Sequence, residues 1–124
     1  NIKFAWIVHS DDGLDEISPY TKTNVVQLKN GKISNIIIDP KEMNINAKNF
    51  NNILGGDKQF NAKKIINIFK GEDNDFSKAV CLNASAGLMV SENQKNIKDA
   101  YSATRKHILS GNAYEHIKKI QTNE

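Results

Sequence analysis

Apolar positions along this chain change their period about midway. The first half reads in strands and the second half in helices. "FAWIVHS" is an unbroken apolar run with β-branched and aromatic members, bounded by polar residues, and predicts a buried strand. "TNVVQLKNGKISNIIID" has two β-rich runs around Asn30-Gly31, a pair that readily takes the positive φ angles of a two-residue hairpin turn. Pro40 closes that hairpin, and the asparagine-rich stretch up to Asn52 predicts a loop with one helical turn. Beyond it the period becomes helical. "LGGDKQFNAKKIINIFKGE" predicts a glycine turn, a helix start near Asp57, an inward face of Ala62, Ile65, Ile66 and Phe69, and a stop at Gly71. "DFSKAVCLNASAGLMVSE" is apolar nearly all round from Ala79 to Val90, as expected of a central helix covered on several sides. Ile97, Ala100, Tyr101, Thr104 and Ile108 mark a third helix. Ala113, Ile117 and Ile120 mark a fourth, ending in a polar tail.

This pattern implies an α/β chain: a partial sheet with a β-hairpin, followed by about four helices. At 124 residues it suits a single domain, 1–124, with room for a real core. It opens on Asn1 and enters a strand at once, which suggests a segment of something longer. No apolar stretch approaches the roughly 18 residues that span a bilayer, and no secretory signal pattern opens the chain. The single cysteine, Cys81, excludes an internal disulfide and fits a reducing, cytoplasmic compartment. Its place inside the most apolar helix suits an inert buried thiol. The net charge of +3 invites a nucleic-acid reading. However, Arg105 is the lone arginine among 17 basic residues, and arginine is the expected residue where phosphates and base edges are gripped. The lysines are scattered, so nucleic acid is an unlikely partner on this count.

The chemistry concentrates in "HSDDGLDEIS", which places four carboxylates within six positions just after the first strand. Two readings are open. Asp and Gly are ordinary turn residues, and short acidic loops are common on surfaces. Alternatively, adjacent Asp15 and Glu16 are hard oxygen ligands suited to Mg²⁺, which prefers one or two carboxylates with waters and substrate phosphates. Gly13 lets the backbone turn between the acidic pairs. The spacing is not that of an EF-hand.

The same stretch, "VHSDDGLDEIS", resembles the signature of the anthranilate phosphoribosyltransferase family: Val-His-Gly, then Gly-Leu-Asp-Glu-x-Ser. In the same order, "TNVVQLKNGKI" is similar to that family's hairpin and "IDPKEMNI" to its Pro-Glu-Asp-Phe-Gly segment. "LGGDKQFNAKKIINIFKGE", "AVCLNASAGLMV" and "AYSATRKHILSGNAYEHIKKI" resemble its later helices. The resemblance implies the carboxy-terminal part of an enzyme that joins anthranilate to phosphoribosyl pyrophosphate and releases diphosphate in tryptophan biosynthesis. It also implies that Asp15 and Glu16 hold Mg²⁺ at the diphosphate. Ser10 stands where the family has glycine, a small-for-small exchange expected to be silent. The family's Gly-Thr-Gly-Gly-Asp loop, its Lys-His-Gly-Asn segment and its amino-terminal helical domain have no counterpart in this chain. "LGGD" aligns with a later segment and is expected to be a glycine turn leading into a helix cap.

From this follow further expectations. No catalytic residue is assigned within the chain, and alone it is expected to be inactive. Its uncovered surface is expected to favour a homodimer or other self-association. His9 is expected to be a hydrogen-bonded strand-end residue, and His107 and His116 surface residues. Trp6 is expected in the core. Asn83, polar on an apolar helix, is expected to hydrogen-bond a neighbouring segment. Two rival readings remain: a pyrimidine nucleoside phosphorylase relative, disfavoured because adjacent carboxylates repel a bare phosphate, and a non-catalytic nucleic-acid-binding module of the same fold.

Overall fold

The structure is a computed structural model that describes residues 2–121. Asn1 and residues 122–124, at the end of the expected polar tail, lie outside the described residues. Strands β1 (Phe4–Ser10), β2 (Thr23–Lys29) and β3 (Lys32–Ile38) form an antiparallel sheet in that order. The hairpin turns at Asn30-Gly31 as predicted, with φ of 50° and 78°. Those paired left-handed conformations match the twist of the flanking strands. Lys29 then faces Lys32, Thr23 faces Ile38, and on the other side Ser10 of β1 faces Thr23.

Alternation along the strands sends Trp6, Val8, Val25, Ile36 and Ile38 to one face, where they meet the core. The opposite face carries Ile7, Val26, Ile33 and Ile37, which are 72%, 42%, 75% and 63% exposed. Strand β1 is therefore covered on one side only, although its unbroken apolar run predicts burial on both. Apolar composition says that a face wants cover. It does not say that the cover lies within these residues.

The helices are α1 (Lys58–Phe69), α2 (Asp75–Val90), α3 (Ile97–Leu109) and α4 (Asn112–Gln121). Each of the first three starts at a side chain that accepts from an orphan backbone N–H: Asp57 from Phe60, Asn74 from Ser77, Asn96 from Asp99. Helix α2 is central, packed against β1 and α3, with Ala79, Cys81 and Leu82 buried. Helix α3 buries Ala100, Tyr101 and Ile108 as its stripe predicts. Helix α1 follows its predicted face in part: Ile66 and Phe69 are half-buried, Phe69 against the core, while Ala62 and Ile65 are exposed and Ile68 is the buried residue. Ile65, Ile66, Ile68 and Phe69 offer two overlapping stripes, and the positions of α3 and α4 select between them. In α4, Ala113 and Ile117 are half-buried, but Ile120 is exposed beyond the last supporting element. The asparagine-rich connection holds two short 3-10 turns, Pro40–Met43 and Phe50–Ile53, and contributes Met43 and Ile45 to the core. Among the described residues no helix is long and apolar enough to cross a membrane.

Gly71 ends α1 with φ of 99°, and a Cβ there would stand 2.8 Å from the Leu109 carbonyl oxygen. Gly31 has φ of 78° but open space around it. Urea unfolding should therefore show Gly71→Ala losing about 2–3 kcal/mol, from strain and a backbone clash together. Gly31→Ala should lose about 1–2 kcal/mol from strain alone.

Candidate functional site

The acidic turn is folded by a chain of buried hydroxyls. The Ser18 N–H donates to Thr23 Oγ1 (3.2 Å), Thr23 Oγ1 donates to Ser10 Oγ (3.2 Å), and Ser10 Oγ donates to the Glu16 carbonyl. Ser10, Ser18 and Thr23 are fully buried. The backbone closes alongside: the Ser10 N–H donates to Leu14 O at 3.0 Å and the Gly13 N–H to Ser10 O at 2.9 Å. Gly13 has φ of 89°, the left-handed conformation that this turn requires. Ser10 is thus a structural tie, and its hydroxyl links Thr23 to Glu16, a link that a glycine does not carry.

The four carboxylates divide into two pairs with different tasks. Asp11 accepts from Asn24 Nδ2 at 3.1 Å. Asp12 accepts from Ser18 Oγ at 2.5 Å and from the Leu14 N–H at 3.4 Å. Both therefore hold the loop. Asp15 and Glu16 are exposed, and their carboxylates have no hydrogen bond or ion pair among the described residues. They line one end of a groove of about 600 Å³, with Phe50, Leu54, Ile65 and Phe76 forming an apolar wall. Asn83, which also lines the groove, grips the backbone of Ile17: its Oδ1 accepts from the Ile17 N–H at 2.9 Å and its Nδ2 donates to Ile17 O at 3.0 Å. The segment expected to bond Asn83 is the acidic turn itself.

Among the described residues no three or more His, Cys, Asp or Glu side chains gather as a metal cluster. Asp15 and Glu16 form a two-carboxylate set. Such a set fits Mg²⁺ that keeps waters and takes its remaining oxygens from a phosphorylated substrate, and it does not fit a closed protein cage. The other candidates lie elsewhere. His9 is exposed on the uncovered sheet face and its side chain makes no hydrogen bond among the described residues, contrary to expectation. His107 and His116 are exposed on α3 and α4. Cys81 is buried, and burial pushes its thiol up to about 11, the state of an unreactive thiol. Trp6 packs against the core and donates to Gln27 Oε1 at 3.0 Å.

Residues 1–114 match the family described as "Glycosyl transferase family, a/b domain". The chain belongs to this family. Anthranilate phosphoribosyltransferase of Pelagibacter ubique is 66% identical over 121 residues, covering 98% of this chain and 37% of that protein. The structure of anthranilate phosphoribosyltransferase from Thermus thermophilus aligns with a TM-score of 0.83 at 26% identity, over 94% of this chain and 34% of that one. The Saccharomyces cerevisiae enzyme in complex with PRPP and Mg shares the fold, with a TM-score of 0.79 at 21% identity, over 91% of this chain and 33% of that one. This glycosyl transferase a/b chain thus spans about a third of the length of the relatives it matches.

One residue of the site's surroundings escaped the sequence reading. Asp75, in the first turn of α2, is 6% exposed and accepts from the Lys48 N–H (3.0 Å), Asn52 Nδ2 (2.8 Å) and Lys78 Nζ (2.8 Å). It pins the loop that carries Phe50 and Ile53 to the groove. Tyr20 reinforces the same loop through its hydroxyl on Asn49 O at 2.6 Å and its ring against Phe50. Burial, with Asp75 nearby, pushes that hydroxyl up to about 12, so it remains a donor. Burial alone would raise the Asp75 carboxyl, but the bonds from Lys78, Lys48 and Asn52 outweigh it and hold the group well below the usual carboxylate range. A depressed carboxylate contributes stability that is present above its unfolded value of 3.8 and is lost as pH falls from there. Asp75→Ala should cost about 3 kcal/mol in urea unfolding at pH 7. The variant should also show a smaller loss of stability between pH 4 and about pH 2 than the parent chain.

Proposed function

We propose that the chain supplies the metal–diphosphate wall of an anthranilate phosphoribosyltransferase, the transferase that moves the phosphoribosyl group of phosphoribosyl pyrophosphate to anthranilate and releases diphosphate. The observation that carries this reading is the division of the acidic turn. Asp11 and Asp12 are used up in folding the loop, while Asp15 and Glu16 are left adjacent, exposed and, among the described residues, unpaired in the lining of a groove. Unpaired adjacent carboxylates repel each other, a cost that a bound cation offsets. Asp15 and Glu16 would hold Mg²⁺, which when bound draws charge from the departing diphosphate. The names of the relatives support the substrates, and the yeast complex supports the metal.

On this reading the chain supplies one wall only. Electrostatic stabilisation of a leaving diphosphate needs donors placed all around it, and the chain alone is expected to be inactive. The uncovered face of Ile7, Val26, Ile33 and Ile37 is what the remainder of the enzyme would cover, so the isolated chain is expected to self-associate.

The test uses the Pelagibacter ubique enzyme with its matching segment exchanged for this chain. In that hybrid, Asp15→Asn with Glu16→Gln should lower magnesium-dependent turnover on the order of a hundredfold or more. Asp11→Asn, which alters a loop-holding carboxylate, should lower it far less. Equal turnover in the paired variant and the parent hybrid would refute the site.

A further inference from the structure

The peptide group joining Glu16 to Ile17 is gripped at both ends by side chains distant in sequence. Ser10 Oγ donates to its carbonyl, and Asn83 Oδ1 accepts from its N–H at 2.9 Å. Asn83 then reaches the next carbonyl, Ile17 O, through Nδ2 at 3.0 Å, and the same nitrogen donates to Ala79 O at 3.0 Å in its own helix. Its amide oxygen and both amide hydrogens are thereby committed. A side-chain amide has the shape of a peptide unit, and here it pairs with the N–H and C=O of one residue as a neighbouring strand would. Alanine at this position offers neither partner, and aspartate offers only the acceptor. No other side chain bonds the Ile17 backbone among the described residues.

We infer that Asn83 is a positioning residue for the acid pair: it fixes the backbone from which the Glu16 carboxylate departs and so sets how tightly Asp15 and Glu16 take magnesium diphosphate. The inference rests on the function proposed above and adds to it a residue of α2, 66 positions away from the residue it holds. Exposed carboxylates on an unheld loop sample many directions. Ordering them only when the ligand arrives weakens binding, whereas a prefixed backbone removes that cost beforehand. Residues behind metal ligands act in this way, and their removal typically weakens metal binding by about 10–100-fold. Leu14, Asp15, Glu16 and Asn83 line the same groove, so the clamp and the pair it orients share one site.

The experiment compares four forms of the hybrid enzyme: the parent, Asn83→Ala, Ser10→Ala and Ser85→Ala. Ser85 is the control, since it is buried two residues further along the same helix and, among the described residues, bonds only Cys81 O and Thr104. Calorimetric titration with magnesium and inorganic diphosphate gives affinity without turnover, and amide exchange at Ile17 reads the clamp itself. Asn83→Ala should weaken magnesium diphosphate binding about tenfold or more and should speed Ile17 exchange about tenfold or more. It should raise the half-saturating magnesium for turnover while largely keeping kcat at saturating magnesium. Ser10→Ala, which frees the other end of the same peptide group, should move affinity in the same direction. Ser85→Ala should lose stability and leave magnesium affinity unchanged. If Asn83→Ala and Ser10→Ala match Ser85→Ala in affinity while the Asp15→Asn, Glu16→Gln pair abolishes binding, the positioning inference falls and the proposed site stands. If the paired variant binds magnesium diphosphate as the parent does, the site falls and this inference with it.

Discussion

Helix α2 must satisfy two irregular segments that have no regular backbone partners of their own, and the rest of the arrangement depends on how it does so. A loop packed against a core cannot leave its N–H and C=O groups unbonded without a loss comparable to the bond itself. Near its start, α2 offers Asp75 to the backbone of Lys48 and to Asn52. At its middle it offers Asn83 to Ile17. Between them Ala79, Cys81 and Leu82 fill the space under the sheet. One element is therefore at once the centre of the core and the support for both walls of the groove. The polar residues in an otherwise apolar helix are where that support is delivered.

The acidic turn shows how a surface loop can hold four carboxylates in a small space without collapsing into disorder. Two of them are held locally by hydrogen bonds, from Asn24 to Asp11 and from Ser18 to Asp12. The buried hydroxyls of Ser10, Ser18 and Thr23 fasten the backbone to β2. What is left exposed is one adjacent pair beside an apolar wall, a combination that suits a ligand with a charged and a less polar end. Arg105, the single arginine, is taken up by a bidentate pair with Asp73 at 3.0 and 2.6 Å, so it braces α3 against the α1–α2 connection.

The uncovered sheet face gives a second constraint. Ile7, Val26, Ile33 and Ile37 stand exposed together on one side of three strands. Monomeric proteins seldom leave such a face open. The chain spans about a third of the length of the relatives it matches.

Local signals set the elements and the chemistry on offer. Asn30-Gly31 sets a hairpin because both residues tolerate positive φ, and Asp57 and Gly71 bound α1 because capping and left-handed termination are properties of single residues. Asp15 and Glu16 stand out because two adjacent carboxylates after a strand are legible in any conformation. The facing of α1 was not fully legible, since Ile65, Ile66, Ile68 and Phe69 allow two stripes and only the place of α3 and α4 chooses one. Nor were the roles of Ser10 and Asp75, nor which segment Asn83 would bond. Asp75 reads in sequence as an ordinary acidic residue in a first helical turn, and Ser10 as a small residue in a loop. Their decisive partners are Glu16 for Ser10, Lys48 and Asn52 for Asp75, and Ile17 for Asn83, 6, 27, 23 and 66 positions away. Which hydrogen bonds close over such distances depends on how the sheet and helices pack. The sequence alone therefore named the acid pair, and only the tertiary structure decided what holds it in place.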